Sequence, residues 1–135
     1  MTSSSNIAIL GLGIVGQSLA KYFSQQNYSV WGLDDGDLNR FKSKPYFTQL
    51  ISPQDFKDYS KLKRFFVSPG VPLNHPSLLQ AKNFGLKIEN ELDLAYELQQ
   101  KNNPSAKLIA ITGTNGKSTT TCLIGEILKK AGHKT

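Results

Sequence analysis

Two stretches of this sequence have the residue types and spacing to hold phosphate groups. Gly11-Leu12-Gly13-Ile14-Val15-Gly16 matches G-x-G-x-x-G. The pattern carries meaning only after a strand and before a helix. Asn6 to Leu10 is an apolar run of strand type, and Val15, Leu19, Tyr22 and Phe23 then recur at helical spacing, so the context is met. Glycines there let the backbone turn tightly and let a phosphate approach the unpaired N–H groups of a helix N-terminus. Asp34 stands at the end of the next strand, where a ribose-binding acid is expected. Without a ligand the same stretch is a tight strand-to-helix turn.

The sharper signal is Thr112-Gly113-Thr114-Asn115-Gly116-Lys117-Ser118-Thr119. Gly-Lys-Ser between a strand and a helix is the core of a P-loop. Its backbone N–H groups cradle phosphates, Lys117 reaches the β- and γ-phosphates, and Ser118 ligates Mg²⁺. The stretch departs from G-x-x-x-x-G-K-[ST] because Ile111 occupies the first glycine position, with Gly113 supplying flexibility two residues later. A third candidate, Ser68-Pro69-Gly70, follows the run Phe65-Phe66-Val67. Open parallel sheets bind ligands at such strand ends, where the Ser68 hydroxyl and nearby N–H groups are expected to hold phosphate. Pro-Gly is equally the signature of an ordinary turn.

The elements that position these residues alternate. Strands are expected at Asn6 to Leu10, Tyr28 to Leu33, Thr48 to Ile51, Phe65 to Val67 and Leu86 to Ile88. Helices are expected after Gly13, from Ser52-Pro53 with Ser52 as N-cap, over Pro76 to Phe84 with Gly85 ending it, and over Glu91 to Gln100. Alternation of this kind implies a mainly parallel sheet covered by helices. Gln99 to Ser105 reads as a linker, Leu108 to Ile111 as a new strand, and Lys117 to Ala131 as a helix with Leu123, Ile124, Ile127, Leu128 and Ala131 on one face. That last unit looks like the opening of a second domain, although a length of 135 residues alone suggests one.

Composition narrows the classes. Hydrophobic residues at 39% and charged residues at 19% argue for a globular core and against disorder. The single cysteine, Cys122, excludes an intramolecular disulfide and a cysteine-rich zinc site, and fits a reducing compartment. It reads as a small packing residue on the last helix. The start of the chain has neither the basic leader of a signal peptide nor the length of a membrane span. The net charge of +6 suits anionic partners, but the cations, Arg64 among them, are scattered as on a solvated face and form no nucleic-acid patch. His75, before Pro76, reads as a helix cap; His133 reads as a surface residue; Trp31 reads as core or site wall. Two histidines without other ligands make no metal cluster.

A dehydrogenase needs one dinucleotide site and no γ-phosphate site, so the two motifs together point to an enzyme that activates a nucleotide-linked substrate with ATP. The residues Thr112 to Thr119 after a strand resemble the ATP-binding loop of the Mur ligases, which build the peptide of bacterial peptidoglycan. The amino-terminal part is similar to the D-glutamate-adding branch of that family through Gly11 to Gly16, Asp34, Ser68-Pro69-Gly70-Val71-Pro72, His75-Pro76-Ser77-Leu78 and Glu89-Asn90-Glu91-Leu92.

The resemblance implies an α/β Rossmann-like domain over residues 1–102, then over residues 103–135 the first strand, P-loop and helix of a central ATPase domain. It implies a UDP-sugar site rather than a dinucleotide site. Gly13 would belong to that site, Ile14 and Val15 would lie by the uracil, Asp34 and Asp35 by the uridine, and Ser68, Pro69 and Gly70 along the diphosphate with Asn115 near it. ATP would sit on Gly113, Thr114, Asn115, Gly116, Lys117, Ser118 and Thr119, with Mg²⁺ on Ser118 and Lys117 as the catalytic residue. The substrates implied are UDP-N-acetylmuramoyl-L-alanine and D-glutamate, joined through an acyl phosphate by a monomeric cytoplasmic enzyme with no nucleic acid or membrane partner. The rest of the family's machinery would lie beyond Thr135, so the expectation for the chain alone is substrate binding without catalysis. The rival is an NAD-binding oxidoreductase or nucleotide-sensing domain, carried by Gly11, Gly13, Gly16 and Asp34.

Overall fold

Ile7-Ala8-Ile9-Leu10 is apolar at every position, as a strand covered on both faces requires. It forms β1 (Asn6–Leu10), the central strand of a five-stranded sheet in a computed structural model that describes residues 5–135. Met1 to Ser4, which hold the beginning of the stretch weighed above as a leader, lie outside the described residues. The other strands are β2 (Ser29–Leu33), β3 (Gln49–Ile51), β4 (Leu62–Val67) and β5 (Ile88–Glu89). Their spatial order is β3-β2-β1-β4-β5 and every neighbouring pair is parallel.

Successive side chains of β1 point to opposite faces. Ile7 and Ile9 pack with Leu19, Ala20 and Phe23 of α1 (Ile14–Gln25) and Leu94 of α3 (Glu91–Asn102). Ala8 and Leu10 pack on the other face with Trp31, Phe56, Tyr59 and, from α2 (Pro76–Asn83), Leu78 and Ala81. Helix starts follow local chemistry. His75 caps α2 by accepting from the Ser77 N–H, with Pro76 at the first helical position. Asn90 Oδ1 accepts from the N–H groups of Leu92 and Asp93, and Asp93 Oδ2 accepts from the Asn90 N–H, a reciprocal capping box at the start of α3.

The remaining residues form a second compact unit, Asn103–Thr135. Its helix is α4 (Lys117–Lys130), followed by Gly132 at φ 83°. Ile124 and Leu128 line a groove with Ile109 and Ile111, while Leu123 and Ile127 are exposed.

Four expectations are corrected here. No helix starts at Pro53: Ser52 accepts from the Asp55 N–H in a single turn, and its hydroxyl pairs with Gln54 instead of capping. Burial of Phe56 and Tyr59 under the sheet sets that path. The polar stretch Gln99 to Asn102 is the end of α3, because Gln and Lys are good helix formers; the helix stops just before Asn103-Pro104, where the proline restricts the residue ahead of it. Leu108 to Ile111 makes no strand pairing, for a strand exists only with a partner and no second strand is described in its unit. Cys122 is exposed.

Arg64 is also not a scattered surface cation. Its guanidinium donates to Glu89 Oε2 at 2.9 Å and Oε1 at 2.7 Å, and to Glu97 Oε2 at 2.7 Å. It lies 4.8 Å from the Phe66 ring centre, so β4, β5 and α3 are pinned together over an aromatic. The hydrogen bond to Glu89, then that to Glu97, hold it still more firmly charged than an ordinary arginine, against the opposing effect of burial.

Candidate functional site

Three adjacent strands end level with one another: Leu10 is the register partner of both Leu33 and Val67. The residue after each end is therefore placed side by side by the sheet, and these are Gly11, Asp34 and Ser68. The order reverses here too, since β2 and β3 lie to one side of β1 and β4 and β5 to the other. Such a reversal opens a crevice at the carboxyl ends of the strands. A cleft of about 450 Å³ fills that place. Gly13, Ile14, Val15, Asp34, Asp35, Ser68, Pro69 and Gly70, all expected from the sequence at a substrate site, line it. Leu12, Val71 and Pro72 line it as well. They sit inside the quoted motifs, and their spacing gave no separate signal.

The cleft floor is hydrogen-bonded shut. Gly11 N–H donates to Leu33 O at 2.8 Å and Ser68 N–H to Leu10 O at 2.9 Å. Asp34 Oδ2 accepts from Leu12 N–H at 2.6 Å and Oδ1 from Gly36 N–H at 2.9 Å. The Ser68 hydroxyl, only 7% exposed with its residue, donates to Gly11 O at 2.6 Å. Its proton ties the loop after β4 to the loop after β1, leaving the oxygen as an acceptor. Asp34 orders the glycine loop through Oδ2 and closes its own turn through Oδ1, and each oxygen keeps a further acceptor position.

The glycines divide by cause. A Cβ on Gly16 would stand 2.0 Å from Gly11 O, and one on Gly11, at φ +86°, would stand 2.7 Å from Val71 Cγ2. The fold itself forbids side chains at both. A Cβ on Gly13 or Gly70 would meet nothing within 4 Å, and neither has a positive φ. Space around the backbone does not demand glycine at these two positions, and both line the cleft. Gly13 is also the N-cap of α1 with no side-chain cap bond.

In the second unit Gly113, Thr114, Asn115, Gly116, Lys117, Ser118 and Thr119 are all exposed. Gly116, at φ 77°, opens α4, and its carbonyl accepts from Thr120 N–H. Lys117 Nζ donates to the carbonyls of Gly113 and Thr114. Asn115, expected near the substrate diphosphate, belongs to this unit. No helix of the described residues is long and apolar enough to cross a membrane, and no group of three metal-ligating residues is found among them.

A parallel sheet in this order, with a glycine loop at the reversal, defines the class: an α/β domain of the Rossmann type. Within that class, residues 5–90 match the Mur ligase MurD-like N-terminal domain family, and the chain belongs to that family. It is similar to the UDP-N-acetylmuramoylalanine--D-glutamate ligases of Wolbachia sp. subsp. Brugia malayi (34% identical over 97% of this chain) and Caldicellulosiruptor bescii (36% over 93%). The enzyme so named from Rickettsia bellii is 38% identical over 94%. The chain spans 27%, 28% and 27% of the lengths of these three relatives. Among solved structures, the Kef CTD of Shewanella denitrificans in AMP-bound form shares the fold, with a TM-score of 0.50 and 18% identity over 96% of this chain and 84% of that one.

Proposed function

We propose that the chain is the substrate-nucleotide-binding part of an ATP-dependent ligase that joins D-glutamate to UDP-N-acetylmuramoyl-L-alanine in bacterial peptidoglycan synthesis, a monomer of the cytoplasm. The observation that carries the reading is the pair Gly13 and Gly70, bare of side chains where the fold allows them and facing the cleft at the strand ends. A glycine kept for close approach is what a diphosphate against backbone N–H groups requires. Ile14, 87% exposed, and Val15 offer an apolar wall to the uracil. Ser68, Pro69 and Gly70 shape the diphosphate side, and Asp34 keeps the loop in the receiving conformation. The relatives bear the name of this ligase, and the substrates follow from it.

The loop Gly113 to Thr119 fits a nucleotide triphosphate. It is exposed throughout, enters α4 through a left-handed glycine, and holds the Lys117 ammonium over its own carbonyls instead of against an acid. ATP there supplies the phosphoryl group that activates the substrate carboxylate. Lys117 balances negative charge on the phosphates, and the Ser118 hydroxyl is placed in the first turn of α4 to ligate Mg²⁺.

Calorimetric titration with UDP-N-acetylmuramoyl-L-alanine, UDP and NAD⁺ tests the reading. Both uridine compounds are expected to bind and NAD⁺ is not. Gly70→Ala is expected to melt like the parent and to lose about tenfold or more in UDP affinity. Binding of NAD⁺ alone overturns the ligase reading. With ATP and D-glutamate added, the 135-residue chain is expected to release no phosphate, since it spans about a quarter of the relatives' length.

A further inference from the structure

Asp35, which lines the cleft, meets His75, forty positions away: His75 Nε2 lies 3.0 Å from Asp35 Oδ2. The other ring nitrogen, Nδ1, accepts from the Ser77 N–H at 3.1 Å. A nitrogen that accepts carries no proton, so the hydrogen of the neutral ring is on Nε2 and is donated to Asp35. The ring is fixed from below by the first turn of α2, and its side chain is 11% exposed against 57% for Asp35. One partner is therefore a nearly buried, oriented donor, and the other is a solvent-facing carboxylate that lines the cleft. A half-exposed pair of this kind adds little to stability. Its consequence is where Asp35 is held.

Asp34 already takes an N–H on each oxygen, from Leu12 and Gly36, whereas Asp35 engages only Oδ2, with His75, so Asp35 is the cleft carboxylate with the larger acceptor capacity left for a ligand. A carboxylate repels phosphate and attracts N–H and O–H groups, which a nucleoside diphosphate carries only on its base and sugar. We propose that His75 is a positioning residue for ligand binding: by donating to Asp35 Oδ2 it holds that carboxylate at the cleft wall to accept a hydrogen bond from the nucleoside part of a nucleoside diphosphate. This rests on the UDP reading above.

The test is calorimetric titration of the 135-residue chain with UDP, for the parent, His75→Asn, Asp35→Asn and the double variant. Asparagine keeps an oxygen to cap α2 but is too short to reach Asp35 as well. His75→Asn is expected to melt like the parent and to bind UDP about five- to tenfold more weakly, as is Asp35→Asn, with no further loss in the double variant. If His75→Asn lowers the melting temperature, His75→Gln, whose amide has the reach of Nε2, carries the comparison and is expected to regain affinity. Parent-like UDP binding by His75→Asn, or losses that add in full, overturn the inference alone. Failure of the parent to bind UDP overturns the UDP reading and the inference with it.

Discussion

The glycine loop after β1 and the glycine loop before α4 each open a helix, yet they are held by different means. The first is closed by groups from neighbouring strands: Asp34 after β2 and Ser68 after β4, both bonded to its backbone. The second is spanned by its own Lys117, which reaches back to Gly113 and Thr114. Every residue of the first loop's strand, from Ile7 to Leu10, is buried, whereas α4 buries none. A loop closed by a sheet inherits the sheet's rigidity. A loop closed by a lysine holds its shape with the same charge that its proposed ligand would attract, so closure and binding compete for one group.

The largest expected effect comes from breaking the first loop at its tightest point. Gly16→Ala places a methyl against the Gly11 carbonyl and is expected to cost about 4 kcal/mol or more, read by urea unfolding; a loss under about 1 kcal/mol contradicts a rigid loop. Next is Arg64→Ala, which strands Glu89, 8% exposed, without its partner. Removing one member of a largely buried ion pair is expected to cost about 3 kcal/mol in the same measurement. Asp93→Asn weakens the capping box of α3 by about 1 kcal/mol. The Asn90 N–H, with lesser help from Lys87, holds the Asp93 carboxyl below its ordinary value of 3.8. Its stabilisation is therefore present above that value and lost as pH falls through the lower folded value, so parent and variant curves converge in acid. The smallest is Lys117→Ala, expected to leave the main unfolding transition within about 0.5 kcal/mol. Faster amide exchange confined to residues 113–116 would support the loop's reliance on Lys117, and unchanged exchange there would refute it.

Local chemistry made the first unit legible. Ile7 to Leu10 and Phe65 to Val67 announce buried strands by composition, and Gly11 to Gly16 is read by what stands on each side of it. Even the cap role of His75 is visible from Pro76. The pairings were hidden because they join distant positions. Arg64 meets Glu89 and Glu97 only after β4, β5 and α3 have come together, and nothing near it in sequence separates it from the surface lysines. The Ser68 hydroxyl invites a ligand on paper, but Gly11 O, brought beside it by strand register, takes its proton. Leu108 to Ile111 has strand composition, yet a strand is a property of a pair.

The lining of the cleft contains no lysine, arginine or histidine and includes two aspartates, although the chain as a whole carries +6. An anion seated there is met by peptide dipoles and the start of α1, whose pull fades within about one helical turn. Recognition built this way would act at short range, through donors that the backbone alone places. The positive surface elsewhere can gather anions of every kind near the molecule, but admission depends on the fit of a backbone.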